Sequence, residues 1–216
     1  MRPQPNGKHQ LFSNPILERF TRTHIAVPVT IFILYAVALA VWNVRFTDLP
    51  GETTILLFFV GWLTFTWVEY QVHRHVFHLS TYTAWRKNFQ YVVHGVHHHY
   101  PKDKDRLAMP PLLSITIATV LLIILKLVLG DYVFAFLPGF LVGYASYLLI
   151  HYMVHAYAPP KNVFKALWKN HSVHHYKDCD LLFGVSSPLW DYIYGTIPKP
   201  KNASKNREIY PQPIEK

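Results

Sequence analysis

His94-Gly95-Val96-His97-His98-His99-Tyr100-Pro101 is the stretch on which the reading of this chain turns. Residues three and four apart share one face of a helix, so His94, His97 and His98 can point together. Three imidazoles on one face, with no carboxylate beside them, suit neither a surface nor an apolar core. They suit a metal cradle. The pattern returns as His171-Ser172-Val173-His174-His175, with the same spacing. Each triplet follows a histidine pair, His73 and His78 before the first, His151 and His155 before the second.

Ten imidazoles are too many for one ion, and two tetrahedral zinc sites would use about eight. Two ions with five imidazoles each and one open position fit the inventory better. Imidazole serves iron, copper, nickel and zinc alike, so ligand type does not select the metal. His73 and His78 are five apart, about 140° around a regular helix, whereas His75 and His78 share a face. The spacing leaves that choice open: either the helix breaks there or the two residues serve different ions. His9, His24 and His99 stand alone and are expected at a surface or an interface. A histidine-rich metal-buffering loop would be low in complexity, unlike these fixed helical spacings.

Working outward, the chain alternates polar and apolar segments. Its 216 residues are 51% hydrophobic, 16% aromatic and only 15% charged, the balance of a membrane protein. Apolar runs at about 25–42, 53–72, 112–130 and 132–152 are near the length of a membrane-spanning helix. Lys126 near the end of the third can snorkel, and Gly139-x-x-x-Gly143 in the fourth allows close helix approach. Each histidine pair begins where a span ends. The formal charge of +9 is distributed unevenly, with 19 of the 21 Lys and Arg on the side of the termini and of the 73–110 loop. That asymmetry places the histidine side in the cytosol and favours a membrane surface over nucleic acid as the basic face's partner. The single cysteine, Cys179, excludes an intrachain disulfide and any cysteine-based zinc site. The expected fold is an all-α integral membrane protein of four transmembrane helices. A 1–24 arm and a 198–216 tail lie on the cytosolic side. Paired open metal positions at the cytosolic edge of a bilayer suggest oxygen activation against a lipid.

The four boxes, His-x4-His, His-x2-His-His, His-x3-His and His-x2-His-His, resemble those of the membrane fatty acid hydroxylase superfamily. The match is nearest to the fatty acid 2-hydroxylases of sphingolipid synthesis. It rests on Glu69-Tyr70 before His73-Arg74-x-x-Phe77-His78, and on Pro101-x-Asp103-x-x-Arg106-Leu107-x-Met109-Pro110-Pro111 after the first triplet. Phe183-Gly184-Val185, Trp190-Asp191 and Gly195-Thr196 extend it, so that residues 53–197 are covered. The resemblance implies a hydroxylase domain over 25–197, with a cytosolic helical cap holding the dimetal site. It makes His73, His78, His94, His97, His98, His151, His155, His171, His174 and His175 the ligands. Where this chain has His75 the family has an aromatic residue, which favours His73 with His78.

The implied reaction inserts one oxygen atom from O2 at C2 of a fatty acid or sphingolipid acyl chain, at two iron ions. Zinc binds nitrogen sites more tightly than ferrous iron and could occupy the site in isolated protein. Only 24 residues precede the first span, without a His-Pro-Gly-Gly haem motif. Electrons are therefore expected from a separate donor such as cytochrome b5 or a ferredoxin. Arg106 is a candidate to hold the acyl carboxylate or carbonyl, or else to anchor its loop to Asp103. Glu69 is a candidate to support a ligand from behind. The rival readings are a hydroxylase or desaturase of another lipid, a carotenoid or a sterol, and a metal-binding membrane protein without turnover. The absence of a lysine-based retrieval signal in 211–216 favours a bacterial inner membrane over the endoplasmic reticulum.

Overall fold

The computed structural model describes Gln4 and residues 10–199. The expectations for His9 and for the tail beyond Lys199 lie outside those residues. Among the described residues the structure is all-helical. A short α1 (Pro15–Phe20) leads to α2 (Ala26–Phe46) and α3 (Gly51–Val72); α4 (Ala84–Gln90) and α5 (Val96–His99) follow in the loop after α3. Then come α6 (Pro111–Leu129), α7 (Val133–Ala156), α8 (Lys165–Tyr176) and α9 (Leu189–Tyr194).

Among the described residues three stretches are long and apolar enough to cross a membrane: Ala26–Phe46, Gly51–Phe77 and Lys104–Ala156. The last is 53 residues long. It contains α6 and α7, separated at Gly130, whose φ of 58° no L side chain adopts easily. Lys126 of α6 lies 4.9 Å from the ring centroid of Phe134 on α7, so the chain doubles back there. The helices carry apolar side chains all round, with Val44 77% and Leu127 83% exposed. Apolar groups so exposed on this scale need a lipid solvent.

α2 runs four residues past its apolar stretch because Thr47 closes it, accepting the role of stop with its N–H and Oγ1 both donating to the Asn43 carbonyl, at 3.1 and 2.8 Å. α7 is the axis of the bundle. It packs antiparallel to α2, where Phe32 meets Tyr144 and Trp42 meets Phe134. It packs parallel to α3, where glycines remove the bulk between backbones. A Cβ on Gly139 would lie 1.8 Å from the Phe58 carbonyl, and one on Gly61 would lie 2.0 Å from that of Phe136. The Gly139-x-x-x-Gly143 spacing is thus used against α3. Because α3 and α7 run the same way, both deliver their histidine pairs at one end of the bundle. The 73–110 and 157–199 segments gather over that end.

Candidate metal centre

The residue at the end of α3 is the first to depart from regular helix geometry. His73–Phe77 forms a widened turn closed by His78 N–H donating to the His73 carbonyl at 3.2 Å, an i→i+5 bond. Residues five apart nearly eclipse in such a turn, which is why His73 and His78 reach one place despite their spacing. Their rings lie 5.2 Å apart, while His75 points outward and is exposed. Tyr91–Gly95 makes a second widened turn, packed against the first, and carries His94.

All ten histidines converge, in two groups. His73, His78, His94, His98 and His174 form one, and His97, His151, His155, His171 and His175 the other. Within each group one nitrogen per ring lies within 4.8 Å of the rest. The nearest approaches are Nε2 to Nε2: His94 to His98 at 3.0 Å and to His73 at 3.1 Å, and His78 to His174 at 3.0 Å, in the first group. In the second, His97 to His151 is 3.0 Å and His155 to His171 is 2.8 Å. The triplets do not each serve one ion, as a shared face suggested. His94 and His98 go to the first group and His97 to the second; His171 and His175 go to the second and His174 to the first.

The donor set fits metal ions. Burial, reinforced by neighbouring imidazoles, lowers His94, His97, His171 and His175 well below the ordinary histidine value. The same causes bring His78 to about 3 and His98 to about 2. Burial lowers His174 to about 4 against the opposing pull of the Leu181 carbonyl and Asp178. The rings are therefore neutral at physiological pH, with a lone pair free for a cation. His175 is buried with neither ring nitrogen hydrogen-bonded, a costly arrangement unless an ion takes one of them.

Behind the histidines, Glu69 is buried and accepts from Val185 N–H at 2.7 Å and Ser186 N–H at 2.9 Å, with Ser186 Oγ on its other oxygen. It thereby holds the loop whose Phe183 carbonyl accepts from His73 Nδ1 at 2.5 Å. The sequence marks Glu69 as a candidate and Asp191 only as part of the resemblance, without a role; Asp191 is fully buried and holds the same loop. Asp191 accepts from Phe183 N–H at 2.8 Å, Gly184 N–H at 2.9 Å and Thr196 Oγ1 at 2.8 Å. A lone acid within Leu189-Trp190-Asp191-Tyr192-Ile193 was the available signal. Gly184 passes so close that a Cβ would lie 2.7 Å from Asp191 Oδ2.

Arg106 reaches the N-terminal arm as well as its own loop. Its guanidinium donates to Thr21 Oγ1 at 2.9 Å and to Glu18, and its Nε lies 3.6 Å from Asp103 Oδ2. Its side chain is 4% exposed. The arm bearing α1 is thus strapped to the loop after the first triplet, an arrangement the sequence reading did not foresee.

A family model described as fatty acid hydroxylase matches residues 58–196. The chain belongs to the fatty acid hydroxylase family. It is 38% identical over 202 residues to a ceramide very long chain fatty acid hydroxylase of Schizosaccharomyces pombe, aligning 88% of this chain with 55% of that one. It is 34% identical over 198 residues to a dihydroceramide fatty acyl 2-hydroxylase of Arabidopsis thaliana, with 91% and 83% of the two chains covered. The chain therefore spans about half of the first relative and most of the second. A solved structure of full-length scs7p, in which only the hydroxylase domain is visible, superposes with a TM-score of 0.83 at 31% identity, covering 92% of this chain and 76% of that one. The matched region contains every one of the ten histidines and both loop-holding carboxylates.

Proposed function

We propose that this chain is a membrane hydroxylase that inserts one oxygen atom of O2 at C2 of a fatty acyl chain carried as a fatty acid or sphingolipid. The observation that carries the reading is the pair of five-imidazole groups at one end of an apolar bundle, in a member of the fatty acid hydroxylase family. Two metal ions, iron in the active form, would be held by His73, His78, His94, His98 and His174 and by His97, His151, His155, His171 and His175. When bound they supply the activation of O2, the one task that imidazoles alone cannot perform.

The rest belongs to the chain's own groups. Four crossings, by α2, α3, α6 and α7, put the 1–24 arm, the cap and the 198–216 tail on one face, which the basic asymmetry assigns to the cytosol. The domain itself is the 25–197 segment. An acyl chain lying among the spans brings its head to their cap-side end, so that C2, and not a carbon deep in the chain, meets the ligands. The carbonyls of Leu181 and Phe183 hold two rings in the tautomer that turns Nε2 inward. Arg106 braces the arm against the cap. Two electrons and two protons accompany the reaction, the second oxygen atom leaving as water, and the electrons come from a donor such as a cytochrome b5 or ferredoxin.

The test is product analysis. Protein in lipid nanodiscs, loaded anaerobically with ferrous iron and given a reducing partner and ceramide, is exposed to isotope-labelled O2. A labelled hydroxyl at C2 of the acyl chain is expected. Labelled sterol or carotenoid with no acyl product would favour the other-lipid reading, and no labelled product with both groups metallated would favour a binding protein.

A further inference from the structure

The two imidazole groups are not held alike. In the first, His73 Nδ1 donates to the Phe183 carbonyl at 2.5 Å and His174 Nδ1 to the Leu181 carbonyl at 2.8 Å. Both carbonyls belong to one short loop, which Glu69 and Asp191 tie down through four backbone N–H groups. Between them Leu182 stands at a φ of 59°, and its N–H donates to the Thr196 carbonyl at 2.9 Å. A non-glycine residue stays in that region only where its surroundings over-determine it. The loop is a rigid two-pronged clamp.

The second group has no two-pronged clamp: of its rings only His151 has a backbone carbonyl behind it, that of Leu107. The Nδ1 atoms of His97, His171 and His175 are buried without a protein partner. A cleft of about 240 Å³, lined by Lys102, Trp168 and Tyr176, opens onto the rings of His155, His171 and His175. Depth in the protein does not produce the difference, since His78 and His98 of the first group are only half-buried. What differs is what stands behind the rings.

We infer that the two metal positions are unequal: the first group holds its ion tightly, and the second, reached through the cleft, holds the exchangeable one. This rests on the reading that both groups bind ions. A carbonyl on Nδ1 fixes tautomer and ring orientation before the ion arrives and raises the basicity of Nε2. Partners of this kind are each worth about 10–100-fold in metal affinity, so the first site exceeds the second by at least about tenfold.

Zinc is the probe, since it needs no redox control. Full-length protein saturated with zinc is dialysed against graded chelator, and metal per chain is measured by elemental analysis. Two steps of one equivalent each are expected, separated by at least about tenfold in free zinc. His171→Ala should delete the weaker step and keep the tighter, and His174→Ala, three residues on in the same helix, should do the reverse. A single step of two equivalents, or a tight step surviving His174→Ala, overturns the inference. Should the variants fail to fold, a density map of wild-type protein at intermediate chelator decides. Residual metal must lie among His73, His78, His94, His98 and His174, and density in the other group instead overturns the order. Protein that binds no zinc at all refutes the metal-centre reading itself, a different result from two equal sites.

Discussion

The two triplets, His94-x-x-His97-His98 and His171-x-x-His174-His175, share their letters and their spacing but not their backbone. The second lies on α8, a regular twelve-residue helix, where the i and i+4 rings face one way and the i+3 ring another. The first straddles a widened turn at Tyr91–Gly95 and the single turn of α5. Each triplet gives its i and i+4 rings to one group and its i+3 ring to the other, in opposite senses. The centre is therefore a crossed arrangement: each group takes one pair, two rings of the triplet that follows it and one ring of the distant triplet. The first group is built from two widened turns and a carbonyl clamp. The second is built from plain helix. Identical letters specify a ligand set, and their surroundings decide how firmly it is held.

The crossing residues offer the hardest test of that arrangement. His97→Ala and His174→Ala should each reduce acyl hydroxylation by more than about 100-fold, exceeding losses typical of groups behind the ligands. Product mass and metal content are measured together. His97→Ala should lose metal from the group with regular helices, although its neighbours His94 and His98 belong to the other. Full activity in either variant would dissolve the crossed assignment.

Asp191 sharpens the comparison from the clamp's side. Asp191→Ala removes two acceptor contacts from the loop that orients His73 and His174 and one from Thr196, and it touches nothing in the second group. Zinc affinity should fall about 10–100-fold at the first group alone, read from chelator titration. An equal fall at both would mean that the loop supports the whole cap and not two rings.

Much of this was legible in residue order, for physical reasons. Apolar runs predict spans because lipid tolerates little else, and the four runs at 25–42, 53–72, 112–130 and 132–152 underlie α2, α3, α6 and α7. The ten histidines stood out because imidazole is rarely grouped without purpose. The His73 and His78 geometry was illegible because 3.6-residue periodicity does not anticipate an i→i+5 turn, and only the family resemblance favoured that pair. The split of each triplet was hidden for a related reason: one helix face is wide enough to serve two ions. Asp191 and Glu18 were missed because their partners are backbone N–H groups and a distant arginine, which no local pattern announces.

The arm contrasts with the clamp, since it is held by ions at the cap's edge. Burial alone would raise the Glu18 pKa, but hydrogen bonds from Arg106, the Phe12 and Leu11 N–H groups and Arg22 outweigh it and lower it to about 2. A depressed carboxylate stabilises above its unfolded value, near 4.5, and that contribution is lost as pH falls through about 2. A fluorophore at Phe20→Cys, in a Cys179→Ser background, should therefore report release of the arm only below pH 4.5, whereas the Glu18→Gln variant should release it at neutral pH. Arg106→Lys should lower activity only a few-fold with C2 selectivity intact, because lysine keeps the charge but loses the fork. Relaxed position of hydroxylation in that variant would make Arg106 the acyl holder.

The smallest expected effect is at His75, and it bears on why the first group needs a widened turn. His75 is exposed and belongs to neither group, although in a regular helix it would share a face with His78 and His73 would not. The i→i+5 bond reverses that choice by carrying His78 round to His73. His75→Phe should therefore keep both zinc equivalents and change turnover by less than about twofold, the ordinary outcome for a surface position. Elemental analysis gives the deciding number. Loss of one equivalent would mean that the turn between His73 and His78 relaxes to regular helix when an ion binds, drawing His75 inward in place of His73. The Phe183 carbonyl would then lose its imidazole, and the clamp that separates the two groups would have no ring to hold.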